Sequence, residues 1–139
     1  MKVFREQRGN VTVEFVGVIV ALLIPVMFIA VSCVGVVRTY LVQDAAANSA
    51  VRGFTISRNE LLANARARAV VATVLRDHHM SSKEVNVLIS CTQRPCLQVR
   101  AVVTVTVQRP FVVQVLGPWL SRTVLVSATH SAMVDVGRA

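Results

Sequence analysis

Acidic residues are scarce in this chain: 7 Asp+Glu stand among 139 residues, against 15 Lys+Arg. The seven are also isolated from one another, so paired carboxylates for acid–base work cannot be assembled. Neither a nucleophile–base pair nor a glycine-rich phosphate loop is present in the sequence. The chain therefore reads as a non-enzyme, with no cofactor and no small-molecule substrate. Aromatic residues are few as well, at five Phe, one Tyr and one Trp. That leaves no stacking platform for bases, and the arginines are scattered with no run of four basic residues, which excludes a nucleic-acid binder. Charge of either sign is low: 16% of residues are charged, where a soluble domain carries about 25%. Yet the formal net charge is +8 and the mean hydropathy +0.60. Grease and positive charge must lie in different places.

The grease lies in Phe15–Val37, an uncharged run of 23 residues. As a helix it would span roughly 30 Å of hydrocarbon. What remains suffices for one small domain, excluding a multidomain enzyme and a polytopic transporter. Of the 23 residues in the run, 11 are Val or Ile. In water they would favour a strand, but in lipid the backbone must satisfy itself and the helix wins. Pro25 is expected to kink it, and Gly17 and Gly35 to permit close helix–helix approach. Lys2, Arg5 and Arg8 precede the run, which by the positive-inside rule keeps the N-terminus cytoplasmic and the rest outside; Arg38, just beyond, opposes this slightly.

The run is too long for the core of an ordinary secretory signal, which is 7–15 residues. A lipoprotein signal at Ala30-Val31-Ser32-Cys33 is the next rival, but the apolar run continues past Cys33. The junction is more informative. It reads Arg8-Gly9-Asn10-Val11-Thr12-Val13-Glu14-Phe15 and passes straight into the apolar helix. A carboxylate there gains about 0.3–1 kcal/mol from the helix dipole, which accounts for Glu14 alone. It does not account for the set: basic leader, Gly9, a Glu five positions on, Phe15 and an unbroken apolar helix. This set resembles the class III, type IV-like prepilin signal, and RGNVTVEF is most similar to the TadE family of tight-adherence (Flp) pilus pseudopilins.

The resemblance implies cleavage after Gly9 by a membrane prepilin peptidase, with Asn10 as the new N-terminus and Glu14 as the fifth mature residue. The new α-amino group would be neutralised by Glu14 of the same or a neighbouring subunit, which sets axial register in assembly. The leader 1–9 holds three basic residues and one acid, so its removal would leave +6. The implied partners are membrane lipid, the peptidase, other pilins or pseudopilins and the pilus assembly platform. Major Flp pilins end soon after the hydrophobic helix, so the roughly 100 further residues argue for a minor subunit. The resemblance is specific over Arg8–Val37; beyond that it concerns architecture only.

The long N-terminal helix is expected over 10–50, with the span at 15–37, an Ala-rich continuation and Tyr40 at the outer interface. Gly53 and the Thr55–Asn59 cluster should end it. Ser57 or Asn59 then caps a second helix, from about Glu60 to His78, with Leu61, Leu62, Ala65, Ala69, Ala72 and Leu75 as its apolar stripe. Arg66, Arg68 and Arg76 fall on a solvated face. Past Ser82 the period becomes two, predicting three antiparallel strands: Val85–Cys91, Leu97–Gln108 and Val124–Asp135. Phe111–Leu116, bracketed by Pro110 and Gly117-Pro118, reads as a short helix or loop rather than an edge strand.

Cys91 and Cys96 flank a tight turn between two strands, and outside the cytoplasm a disulfide is expected. A metal site of Cys91, Cys96, His78 and His79 is disfavoured by the C-x4-C spacing and the adjacent histidines. His130 stands in the apolar register of a strand, as a satisfied core histidine. The expectation is an α+β, pilin-like protein: leader 1–9, helix 10–50 and extracytoplasmic head 51–139 on a single-pass bacterial membrane anchor. The alternative is an uncleaved single-pass protein whose outer domain scaffolds or binds a partner.

Overall fold

The computed structural model describes residues 11–114 and 120–135. In order, the elements are α1 (Val11–Thr55), α2 (Glu60–Asp77), β1 (Asn86–Cys91), β2 (Val102–Gln114) and β3 (Ser121–Met133). The strands form one antiparallel sheet in the order β1-β2-β3. This is the expected α+β layout of a long apolar helix, a second helix and a three-stranded sheet.

At 45 residues, α1 is about 67 Å long. It continues past Gly53, which was expected to break it. Gly53 is instead buried in the last turn, where an added Cβ would lie 3.5 Å from Val70 Cγ2 and 3.8 Å from Arg66 Cγ. The smallest residue sits where side chains of the second helix pack against the first. The chain turns at Ile56–Asn59. Buried Ser57 donates to the Gly53 carbonyl at 2.7 Å, and Asn59 caps α2 by accepting from the Leu62 N–H at 2.8 Å. Of the two candidate caps, Asn59 is the one used.

The buried face of α2 differs from the expected stripe. Ala63, Ala67, Val71 and Leu75 are buried, whereas Leu61, Leu62, Ala65 and Ala69 are exposed and Ala72 is half-buried. Only Leu75 belongs to both sets. The reason is steric. On α1, Gly53 meets Val70 and Arg66 of α2 and Ala46, Ala47 and Ala50 are without solvent exposure, and small residues let two helices approach closely. Close approach selected the stripe, not side-chain hydrophobicity.

The sheet presents its inward rows to α1. Register aligns Cys91–Val103–Ala132, Ile89–Val105–His130 and Val87–Val107–Ala128. Val103, Val105 and Val107 are fully buried, as alternate positions of a half-buried strand must be. On the outer face, hydroxyl pairs Thr104–Ser131 at 2.8 Å and Thr106–Thr129 at 2.9 Å line up across β2 and β3.

Both ends of β2 depart from expectation, and β3 runs over Ser121–Met133 rather than Val124–Asp135. β2 begins at Val102, not Leu97, because the preceding segment is taken up by turns: Gln98 N–H donates to Pro95 O, Ala101 N–H to Gln98 O, and Arg100 has φ 68°. A left-handed residue cannot continue a strand. At its other end β2 runs through Pro110 to Gln114, paired with β3 from Val113↔Arg122 to Pro110↔Leu125, so the described part of 111–116 is strand and not helix or loop. β1 reaches only to Gln108. Pro110 thus stands where, among the described residues, one flank of β2 has no neighbouring strand, the kind of position a proline without an N–H tolerates.

Candidate assembly surface

The first half of α1 stands apart from the rest of the fold. Its most apolar 18-residue window has a mean hydropathy of 2.8 and is 0% buried. The helix is long and apolar enough to cross a membrane. Val11, Val13, Phe15, Val18, Leu22 and Leu23 are all more than half exposed, so this surface is left for lipid or for other chains. Glu14, in the first turn, is the one charged residue from Val11 to Val37. Among the described residues it has no hydrogen bond or ion pair. Val11, Glu14, Phe15 and Val18 form a single shallow depression on the helix surface. The sequence-predicted pair Glu14 and Phe15 thus lies side by side on an open helix face. Gly9 and Asn10 lie outside the described residues.

The two glycines of the span have different roles. Around Gly17 an added Cβ would meet nothing within 4 Å. At Gly35 it would stand 2.6 Å from Phe111 Cζ. The close approach at Gly35 is therefore filled by the ring of β2 and not by another helix, which corrects the expectation for that residue.

From Ser32 outward the head runs alongside the helix. Ser32 Oγ donates to the Gln114 carbonyl at 2.8 Å, Phe111 covers Gly35, and Gln43 reaches the sheet eight residues further on. With its amide nitrogen toward the strands, fully buried Gln43 donates to Val107 O at 3.2 Å and Val126 O at 2.9 Å. The opposite orientation would set oxygen against oxygen. Next to it, Asp44 Oδ1 lies 2.7 Å from His130 Nε2. Thus β2 descends antiparallel to α1, and the anticipated span is already covered on one side from Ser32 to Val37. His130 is satisfied, as its register suggested. Gln43 and Asp44 as its neighbouring ties were not anticipated; the signal was two polar residues in an alanine-rich helical stretch.

Cys91 and Cys96 form a disulfide, with a Cα–Cα distance of 5.4 Å. It closes the start of the connection between β1 and β2, where Thr92 N–H also donates to Val102 O. His78 and His79 lie at the end of α2. No group of three or more His, Cys, Asp or Glu placed to hold a metal ion occurs among the described residues. Cys33 is a free, exposed thiol on α1. Compared with known proteins, the chain matches no family model, no curated protein and no solved structure.

Proposed function

We propose that this chain is a minor pilin or pseudopilin acting in assembly of a tight-adherence (Flp-type) pilus, processed after Gly9 by a prepilin peptidase. The observation that carries this reading is the first half of α1. It is an apolar helical surface left exposed by the described residues until the head meets it at Ser32, broken by one carboxylate, Glu14, in its opening turn. A lipid anchor needs the apolar surface and gains from Glu14 only the small helix-dipole term, set against its cost wherever it meets hydrocarbon. A helix that bundles with its neighbours can use it. The positive α-amino group created at Asn10 lies four residues away, and an opposite charge supplied by an adjacent subunit fixes their axial offset. In this role the head is displayed outside the cytoplasmic membrane, the peptidase and the assembly platform are transient partners, and the chain performs no catalysis.

The second reading is an uncleaved single-pass protein whose outer domain scaffolds a partner; the snug docking of the sheet on α1 serves that equally well. The mass of the membrane-extracted protein separates them. The pilin reading expects a chain beginning at Asn10, and one beginning at Met1 after Gly9 substitution or in a peptidase-null strain. A wild-type chain that always begins at Met1 favours the anchor. Glu14→Ala should be cleaved normally but fail to enter assemblies, and normal assembly would remove the role assigned to Glu14.

A further inference from the structure

Where the apolar run of α1 ends, basic and imidazole side chains from three elements converge on one cleft of about 560 Å³. Arg38 comes from α1, His78 and His79 from the end of α2, and Arg109 from β2, with Glu84 the only acid among the lining residues. Arg109 leans toward Glu84, at 3.9 Å through Nη2, while its buried Nε has no partner. Arg38 is exposed and has no acidic partner among the described residues. The cleft therefore carries an excess of unneutralised donors.

Its position along the helix is defined. Gly35 and Thr39 line the same cleft, and Arg38 is the first charge after the 23 uncharged residues. Those residues rise about 35 Å as a helix, against roughly 30 Å of hydrocarbon. The cleft thus stands outside the hydrocarbon, at or just above the lipid phosphates of the leaflet on the head's side, since the head already flanks α1 from Ser32. An apolar groove adjoins it, lined by Cys33, Val34, Val37 and Leu41 and sharing Arg38 and His78 with the cleft. A cationic pocket joined to an apolar groove, both at the membrane boundary, has the polarity of one lipid molecule.

The backbone at His79 adds to this. α2 ends with the Met80 N–H donating to Leu75 O and the His79 N–H to Arg76 O, and His79 itself has φ 57°. This is the helix-terminating position that glycine fills at least cost. A histidine is held there instead, with its ring lining the cleft.

We propose that Arg38, His78, His79 and Arg109 bind the phosphate of a phospholipid in the head-side leaflet, with an acyl chain along Val34 and Val37. Two guanidinium groups against the single carboxylate of Glu84 favour a lipid of net negative charge. This inference requires that α1 cross a membrane and is independent of how the N-terminus is processed.

The test is native mass spectrometry of the full chain in detergent, titrated with phosphatidylglycerol, phosphatidylcholine or inorganic phosphate. Wild type should retain one phosphatidylglycerol in preference to phosphatidylcholine. Arg38→Gln combined with His79→Gly should weaken retention about tenfold, the effect of losing one charge-assisted hydrogen bond. His79→Gly relieves the left-handed backbone, so unfolding of that single variant should occur at or above the wild-type temperature, and weaker lipid retention by it cannot then be a folding defect. Arg76→Gln, outside the cleft, should leave retention unchanged. Equal retention by wild type and the double variant overturns the proposal. Millimolar inorganic phosphate displacing the lipid completely overturns the choice of a lipid as occupant.

Discussion

Asp44 and His130 are 86 positions apart in the sequence, yet His130 Nε2 lies 2.7 Å from Asp44 Oδ1. One residue belongs to the Ala-rich part of α1, the other to the inward row of β3 beside Val105. Their side chains are 40% and 34% exposed, so water weakens the pair without dissolving it. A double-mutant cycle of Asp44→Ala and His130→Ala should give a coupling of about 0.5–1 kcal/mol. Chemical unfolding in micelles measures it, and a coupling of zero would mean that the pair does not help to hold the sheet on the helix.

Gly35 and Gly17 should respond in opposite directions to the same substitution. Alanine favours a helix over glycine by about 1 kcal/mol at either position. At Gly35 the new methyl group would meet the Phe111 ring, and overpacking costs about 1–3 kcal/mol. Gly35→Ala should lower the unfolding temperature of the head, while Gly17→Ala should leave it unchanged or raise it. If Gly17 packs against a neighbouring helix in an assembly, Gly17→Ala should also reduce assembly without affecting the fold.

Removing the disulfide with Cys91→Ser and Cys96→Ser should cost about 2 kcal/mol, the low end expected for so short a loop. Thermal unfolding with and without a reductant provides the measurement. The double variant should be insensitive to reductant, and the wild type should shift toward it.

The contact between helices predicts a contrast on α2. Ala67 is fully buried against α1, and Leu62 is 53% exposed. Ala67→Leu should destabilise by about 1–3 kcal/mol despite adding apolar surface. Leu62→Gln should stay within about 0.5 kcal/mol despite removing it. Denaturant midpoints of the two variants decide whether closeness or hydrophobicity governs this interface.

That contrast also explains what was legible in the sequence. The inward valines of β2 were readable because a half-buried strand must alternate, and Val103, Val105 and Val107 do. The long helix was readable because an uncharged run in lipid has no other way to satisfy its backbone. The buried face of α2 was misread because Leu61 and Leu62 weigh more on any hydrophobic pattern than Ala63 and Ala67, although only the latter are buried. Gly53 was read as a breaker because nothing in local sequence tells a glycine that ends a helix from one that makes room for a second helix. Pro110 argued against a strand until the length of β1 was known, since a proline's tolerance depends on whether a neighbour is there to be denied a donor. At the candidate site, Glu14 and Phe15 stood out locally through their position against the span. The cleft of Arg38, His78, His79 and Arg109 did not, because its members come from three elements and meet only in the fold.

The descent of β2 alongside α1 has a mechanical consequence. Ser32, Gly35, Gln43 and Asp44 tie the sheet to the helix over 13 residues of α1, a distance of about 18 Å. Because strand and helix run side by side, tension along the helix axis loads all four ties in shear at once and cannot peel them away one by one. A pull on the head is delivered to the apolar first half of α1 as though the two were a single rod.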